Sequence, residues 1–442
     1  MSLLNRKNAA VRSPDEDPIF QSRAYRSSRM AYIWQCAFEY FVTILVGDAF
    51  LAKLLHDIGM EDSTIGVISS LISLAFLFQL FSVFVVQRVR NTKRFVTVFS
   101  TASQLFFMCL YLVPFLPMRS EYRSAVVVAC VMLAYFGNYF VTSMIYKWGN
   151  SFVAPTSRAR FSSTKEMISL ITGMAFTLII GKVIDCFEAA GNLKGGFLMT
   201  AAVIFVLSIA NLTCLLRIKN QVKSPDAQVE PLSDVIKNTL GNRNFRNVII
   251  MTVLWQFAIY LTMGFLGIYK TKDLLISVGT VQVINVGGNL ARFFVSRPFG
   301  RFSDKTSFAT GISLAYAIAA LAFLVNAFTT PKTWWLIIVY TVLYFVSMAG
   351  SNQNSFNIVY SYVPERYFVQ ATAIKNSIGG VVGFGASLLG SRILQTVQQN
   401  GNMLFGIPVY GQQVLSGLTF LLIVADLIFV RCTISKQKVM VQ

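Results

Sequence analysis

Long apolar segments separated by short polar loops run through most of the 442 residues. An apolar segment needs about 20 residues to cross a bilayer as an α-helix. Spans one to six are predicted at 31–55, 64–86, 95–117, 123–146, 163–185 and 196–216, and spans seven to twelve at 247–270, 277–298, 307–328, 333–356, 368–393 and 411–431. The pattern therefore predicts an all-α membrane protein with twelve transmembrane helices.

A polar stretch from Arg217 to Arg246 divides this pattern into two sets of six spans. Such a break indicates a linker between two helical bundles. Within it, Leu232, Val235, Ile236 and Leu240 follow helical spacing, which fits either a helix on the membrane surface or a flexible loop. The predicted organisation is a tail (1–30), a first bundle (31–216), the linker (217–246), a second bundle (247–432) and a tail (433–442).

The two bundles resemble each other in sequence. Trp34–Ala37 reads Trp-Gln-Cys-Ala and Trp255–Ala258 reads Trp-Gln-Phe-Ala, while Tyr135-Phe136 matches Tyr344-Phe345 further along. Matches in the same order indicate two parallel six-helix repeats, which is one known transporter architecture. We therefore expect two pseudo-symmetric bundles.

Charge predicts the orientation. The formal net charge of +19 is spread over short loops, which a transmembrane topology explains better than nucleic-acid binding. With both termini inside, lysines and arginines favour the inner loops by about three to one. We therefore predict a plasma-membrane protein whose termini and linker are cytoplasmic, and no cleavable signal peptide in the polar first thirty residues.

Residues for enzymatic chemistry are sparse. The single histidine, His56, falls at the outer end of span one, and the six cysteines show no paired spacing. The sequence contains no nucleophile elbow or phosphate loop. We therefore expect no enzyme activity, no cofactor and no metal site.

The segment after span eight reads Gly-Arg-Phe-Ser-Asp-Lys-Thr-Ser from Gly300 to Ser307. It resembles the signature loop of the major facilitator superfamily, and the twelve spans, the linker and the repeats extend the resemblance over 31–432. The resemblance implies the superfamily fold and a conformational latch formed by Gly300, Asp304 and Lys305. The first-half copy, Gln87–Arg94, lacks both the glycine and the aspartate. The basic stretches after Pro155 and Pro364 also look like loops of that family.

Polar side chains recur at helical spacing within several spans, and in lipid such side chains must face protein or a water-filled path. Span eight carries the most regular stripe, from Gln282 to Ser296. The resemblance implies that spans one, four, seven and ten line the central cavity. The predicted solute-binding residues are Gln35, Tyr135, Asn138, Trp255, Gln256, Tyr260, Asn285, Asn289, Arg292, Tyr344, Asn354 and Lys375. For any single residue in this set, hydrogen bonding between helices remains an alternative.

Among the charged residues within spans, Glu39 lies on the polar stripe of span one. A carboxylate at that depth must be hydrated, paired or protonated, so Glu39 is the candidate proton-coupling residue. A fixed ion pair with Arg292 or Lys375 is the alternative. Asp48 lies about 180° further around an unbroken helix and is expected to be a structural partner. Asp426 is also expected to be structurally paired.

Amide, hydroxyl and aromatic groups in the stripes suit a sugar or a related polar metabolite. We therefore predict a monomeric secondary transporter that carries this solute inward with a proton by alternating access. Its partners are the solute, the coupling cation and the lipid bilayer, not nucleic acid. A drug/proton antiporter and a transporter of organic anions are the alternatives, and the positive residues Arg292 and Lys375 favour the second of these.

Overall fold

The computed structural model describes residues 22–437 except 87, 88, 90, 154–157, 221–239, 364–367 and 405. The middle of the linker, both tails beyond these limits and the prolines of the two basic stretches lie outside the described residues. The helices are α1 (Arg23–Leu45), α2 (Asp48–Asp57), α3 (Asp62–Ser69), α4 (Leu71–Val86), α5 (Thr92–Leu112), α6 (Ser120–Asn150), α7 (Arg158–Ala189), α8 (Leu193–Arg217), α9 (Arg243–Ile268), α10 (Val278–Lys305), α11 (Phe308–Ala327), α12 (Leu336–Tyr360), α13 (Phe368–Gln399) and α14 (Gly411–Cys432).

These helices correspond to the predicted spans. Helices α1 and α2 together form span one, α3 and α4 form span two, and α5 to α14 form spans three to twelve in order. A two-residue β-ladder pairs β1 (Met403–Leu404) with β2 (Ile407–Pro408) between spans eleven and twelve. The all-helical fold class predicted from hydropathy is confirmed.

Ten helical units in the described part of the chain are long and apolar enough to cross a membrane by length and composition. Spans one and eight are not among them. Both carry polar stripes, whose side chains lower the mean hydropathy and in lipid must face protein or a water-filled path. The count of twelve spans therefore depends on these two polar helices.

Span one is not the continuous helix that the apolar run predicted. Helix α1 ends at Leu45, Gly47 is extended, and Asp48 has a positive φ of 42° before α2 begins. Left-handed backbone is uncommon outside glycine, although aspartate tolerates it better than most residues. The break divides span one into two helices, and Asp48 pairs with Lys270 at 3.2 Å, as expected of a structural partner.

Glycines allow the two halves to approach each other closely at several points. A Cβ placed at Gly264 of span seven would clash with the Gly66 backbone and the Ser70 side chain of span two. A Cβ at Gly181 of span five would lie 3.0 Å from the Gly279 Cα of span eight. Small residues permit such close helix packing in membranes, so these contacts fix how the halves meet.

Candidate functional site

Charged residues join the two halves at one end of the molecule, which the sequence-based orientation makes the outer end. Lys270 of span seven pairs with Asp48 at 3.2 Å, and Lys272 pairs with Asp62 of span two at 2.7 Å. Gln398 of span eleven donates a further hydrogen bond to Asp62 at 2.8 Å. In the described part of the chain, both ion pairs that cross between the halves therefore lie at the outer end.

Asp185, at the outer end of span five, adds a third contact between the halves. Its carboxylate accepts hydrogen bonds from the Ser277 hydroxyl at 2.8 Å and from the Gly279 backbone N–H at 3.1 Å. These donors lie at the N-terminus of span eight, where the helix dipole favours a negative charge. We call Asp48, Asp62, Asp185, Lys270 and Lys272 the outer gate, and in this conformation the gate is closed.

A cavity of about 270 Å³ lies between the two halves, beside the outer gate. We call it the central cavity. It is lined by spans one and five of the first half and by spans eight and ten of the second. The lining residues are Tyr40, Thr43, Ile44, Gly47, Asp48, Gly173, Met174, Thr177, Gln282, Asn285, Val286, Asn289, Arg292 and Phe345.

Three predicted binding residues, all on span eight, meet in this cavity. Asn285 donates to the Asp48 carboxylate at 2.9 Å, which connects the cavity to the outer gate. Asn289 and Arg292 follow on the same face of the helix. Among the described residues, the Arg292 guanidinium has no ion-pair partner, unlike the gate lysines. A solute in the central cavity would therefore meet amide donors and one free positive charge.

The predicted set lacks several residues that line this cavity. Gln282 and Thr43 belong to the polar stripes of spans eight and one, so the stripe pattern contains a signal for them. No such signal exists for Tyr40, Thr177 and Asp48, because nothing in their local sequence shows which neighbouring helix they face. Thr177 lies 3.4 Å from the Gln282 carboxamide oxygen, across the interface between the halves.

Glu39 lies in a separate, smaller pocket inside the first half, which we call the Glu39 pocket. Its carboxylate accepts a hydrogen bond from the Gln35 carboxamide at 2.7 Å, and Asn138 of span four lines the same pocket. The predicted residues Gln35, Glu39 and Asn138 are therefore brought together. The remaining lining residues of the pocket are Val42, Thr43, Ser100, Ser103, Gln104 and Phe107.

This arrangement separates Glu39 from the cations considered as fixed partners. In the described part of the chain Glu39 makes no ion pair with either Arg292 or Lys375. Its direct partners are neutral amides, which stabilise a carboxylate less than an ammonium does. Gln104 also faces the pocket, and neither polar atom of its buried carboxamide has a partner among the described residues. The pocket therefore retains unused hydrogen-bonding capacity beside Glu39.

A third cavity, of about 220 Å³, lies inside the second half between spans seven, nine, ten and eleven. We call it the inner chamber, because its residues lie in the halves of these helices nearest the predicted cytoplasmic side. It contains Trp255, Gln256 and Lys375 of the predicted set. Lys375 and Arg292 therefore do not share one site in this conformation.

The other predicted residues lie in helix packing. Tyr135 packs edge-on against Phe107, with ring centroids 5.2 Å apart, and Tyr344 stacks on Tyr340 at 5.8 Å. Asn354 is buried and donates to the Gly350 carbonyl at 2.9 Å. Tyr260 packs against Gly383, beside Ser73 of span two. In the described part of the chain these four do not line the central cavity, the Glu39 pocket or the inner chamber.

Comparison with known proteins assigns the family. Residues 36–387 match the family model of the Major Facilitator Superfamily, which is most of the chain. The chain belongs to the Major Facilitator Superfamily. No curated protein matches it by sequence. The resemblance inferred from the signature segment and the repeats is therefore confirmed.

Solved structures of superfamily transporters share this fold at low sequence identity. The nucleoside transporter NupG matches with a TM-score of 0.68 and 12% identity, covering 94% of this chain and 100% of that protein. An auto inhibited POT family peptide transporter matches with a TM-score of 0.70 and 11% identity, covering 94% of this chain and 98% of that protein. A D-xylose-proton symporter matches with a TM-score of 0.66 and 12% identity, covering 91% of this chain and 97% of that protein. These similarities establish the fold and leave the solute open.

The superfamily signature segment is helical over most of its length, which differs from the loop that its sequence suggested. Span eight continues through Gly300 and Asp304 and ends at Lys305, and Ser307 then caps span nine. Gly300 approaches the Gln353 side chain of span ten. Asp304 and Lys305 are exposed, and neither makes an ion pair among the described residues. With the outer gate closed, Asp304 and Lys305 therefore have no ion-pair partner in the described part of the chain.

We predict that Asp304 stabilises the opposite, outward-facing state by contacts at the inner rim. Asp304→Asn is expected to shift the population toward the inward-facing state and to slow transport without unfolding the protein, because only the inner-closed state would lose a contact. Distances between spin labels at the inner ends of the two halves measure this shift. Asp57→Asn, an exposed aspartate at the outer end, is the matched control. Unchanged distances in Asp304→Asn would contradict the latch role.

Proposed function

We propose that this superfamily member is a secondary active transporter that moves a small, hydroxyl-rich polar solute, a sugar or a related metabolite, inward together with a proton. The central cavity is the observation that carries this proposal. It lies between the halves, beside a closed outer gate, and presents carboxamides, hydroxyls and the aromatic rings of Tyr40 and Phe345. Sugars need many neutral hydrogen-bonding groups and an apolar face, and this lining offers both.

Alternating access explains how such a cavity would serve transport. Rocking of the two halves about a central site exposes that site to one side at a time. The closed outer gate and the central cavity beside it match one end state of that cycle. Opening the gate would require Lys270 and Lys272 to separate from their carboxylates. The solute would then have to stabilise the intermediate states by its contacts to both halves.

Uptake into proteoliposomes tests the proposal. A panel of labelled sugars, sugar acids and nucleosides should be offered with and without an inward-directed proton gradient. We expect a sugar or sugar acid to accumulate only when the gradient is present. Accumulation of a lipophilic cation only when the proton gradient is directed outward would instead support the drug/proton antiporter alternative. Gradient-independent equilibration would indicate a uniporter.

We also propose that the protein resides in the plasma membrane as a monomer, with its linker and both termini in the cytoplasm. The uneven distribution of lysine and arginine supports this orientation. A cysteine placed at Ser224 in a cysteine-free background should react with a membrane-impermeant maleimide only after the cells are permeabilised. Labelling of intact cells would reverse the proposed orientation.

A further inference from the structure

The inner chamber is separate from the central cavity, because the two share no lining residue. Its surface is made of carboxamide, hydroxyl and aromatic groups around one positive charge. The lining residues are Thr252, Trp255, Gln256, Tyr316, Ser351, Asn352, Ser355, Phe356, Thr372, Lys375 and Asn376. The indole of Trp255 stacks on the Tyr316 ring with centroids 4.2 Å apart, which makes one wall flat and rigid.

Lys375 is the charged group of this chamber, and it is only 4% exposed. Its ammonium donates to the Ser355 carbonyl at 2.9 Å and to the Ser355 hydroxyl at 3.1 Å. An ammonium has three N–H donors, so these two bonds leave one unused. The lining contains no carboxylate, and Lys375 makes no ion pair among the described residues. A desolvated charge without a counter-ion is costly.

The first half treats the equivalent position differently. Span eleven begins and ends 210 residues after span five, so Lys375 lies at or next to the position equivalent to Lys165. The Lys165 ammonium lies 4.8 Å from the centre of the Tyr146 ring and 5.2 Å from that of Tyr32, and Glu39 is close enough to interact with it electrostatically. Lys165 therefore has aromatic faces and a nearby carboxylate around its ammonium, whereas the ammonium of Lys375 has only neutral groups around it.

We propose that the inner chamber is a binding site for the carboxylate group of a small polar solute, with Lys375 as its counter-ion. This assignment rests on the proposed function and narrows its solute class to carboxylate-bearing polyols such as sugar acids. One free N–H on a single ammonium matches one carboxylate oxygen. Gln256, Asn352 and Asn376 supply amides that complement the hydroxyl groups of the same solute.

Size is compatible with this class. The chamber has room for roughly seven water molecules at about 30 Å³ each, which is the scale of a small organic acid with its hydroxyl groups. The Trp255–Tyr316 wall presents an aromatic surface beside the polar groups. Because the chamber lies toward the inner side while the outer gate is closed, a carboxylate held there would mark a step between the central cavity and the cytoplasm.

Binding of D-glucuronate and D-glucose to the full-length protein in lipid nanodiscs tests this proposal, because the two probes share a pyranose ring and differ in the carboxylate. We expect the wild type to bind D-glucuronate at least about tenfold more tightly than D-glucose by isothermal titration calorimetry, as a charge-assisted hydrogen bond implies. Lys375→Gln should remove this preference, and Lys375→Arg should keep part of it. Lys332→Gln, at an exposed outer turn, should leave it unchanged.

Three results would overturn the proposal. The first is a carboxylate preference that survives Lys375→Gln. The second is a preference that disappears in Arg292→Gln and not in Lys375→Gln, since that would place the anion in the central cavity. The third is no binding of D-glucuronate at up to about 10 mM. Failure of the proposed function has a different signature, in which D-glucuronate binds in a Lys375-dependent manner but is not carried across the proteoliposome membrane.

Discussion

Proteoliposomes that contain the Glu39→Gln protein are expected to lose uphill, pH-driven accumulation of solute while they retain downhill exchange. With one proton coupled to each solute, a gradient of one pH unit sustains about tenfold accumulation in the wild type. In the Glu39→Gln variant, the ratio of solute concentration inside the vesicle to that outside should stay near one. Glutamine resembles the protonated carboxyl group in shape and charge, so the variant corresponds to a carrier fixed in its neutral form.

The structure gives the physical reason for this expectation. The direct neighbours of Glu39 are the neutral amides of Gln35, Asn138 and Gln104, and the Lys165 ammonium acts on its carboxylate electrostatically but forms no ion pair with it among the described residues. Closing the halves around a loaded carrier removes water from such a carboxylate, which favours protonation before closure. Neutral amide partners also tolerate glutamine better than an ammonium partner would. We therefore expect Glu39→Gln to fold and to bind solute.

Glu166→Gln is the matched control, because Glu166 is an exposed carboxylate near the inner end of span five. It should leave pH-driven accumulation intact. If Glu39→Gln still accumulated solute in response to a pH gradient, coupling would have to reside in another carboxylate or in sodium ions. If the variant lost binding or stability instead, the alternative of a fixed ion pair formed in another state would be supported. A neutral substitution at Arg292 or Lys375 should then restore the lost binding or stability of Glu39→Gln.

The second large effect is expected at the glycine contact between spans two and seven. Gly264→Ala should shift the protein toward an outward-open state and reduce transport by roughly tenfold or more. The added Cβ would clash with the Gly66 backbone and Ser70 only while the outer end is closed. Overpacking of this kind costs about 1–3 kcal/mol, which changes a two-state population by about 5- to 150-fold.

Alanine has the higher intrinsic helix propensity, by about 1 kcal/mol, so a loss of transport in Gly264→Ala would not come from a weakened helix. Gly385→Ala in span eleven is the control, because a Cβ there meets nothing within 4 Å. Electron-spin distance measurements between labels at His56 and Lys332, in a cysteine-free background, report the opening of the outer end. An unchanged distance distribution in Gly264→Ala would show that this contact does not hold the outer end closed.

Asp426 in span twelve lacks, among the described residues, the partner that its sequence position predicted. The sequence-based expectation was a structural pair for this carboxylate in span twelve. In the structure Asp426 is fully buried, and neither of its carboxylate oxygens has a hydrogen-bond partner among the described residues. Helical periodicity shows which side chains share a face. It does not show whether the neighbouring helix brings a partner to that depth.

The helical membrane fold, the two repeats and the family could all be predicted from the sequence alone. Hydropathy predicts which segments enter lipid, and such segments must be helical because a helix satisfies every backbone hydrogen bond within itself. This constraint depends only on the local sequence. The stripe of Asn285, Asn289 and Arg292 was likewise predictable, since three- and four-residue spacing places side chains on one face.

Which helix faces meet became visible only in the three-dimensional structure. It broke span one at Gly47 and turned Asp48 onto Lys270, although no proline marks that break. It placed Arg292 in the central cavity and Lys375 in the inner chamber, and among the described residues it gave Glu39 amide partners and no ion pair with an arginine or lysine. The physical reason is that each polar face must be buried against some other helix. Which helix that is depends on close packing between residues far apart in the chain, such as Gly66 and Gly264.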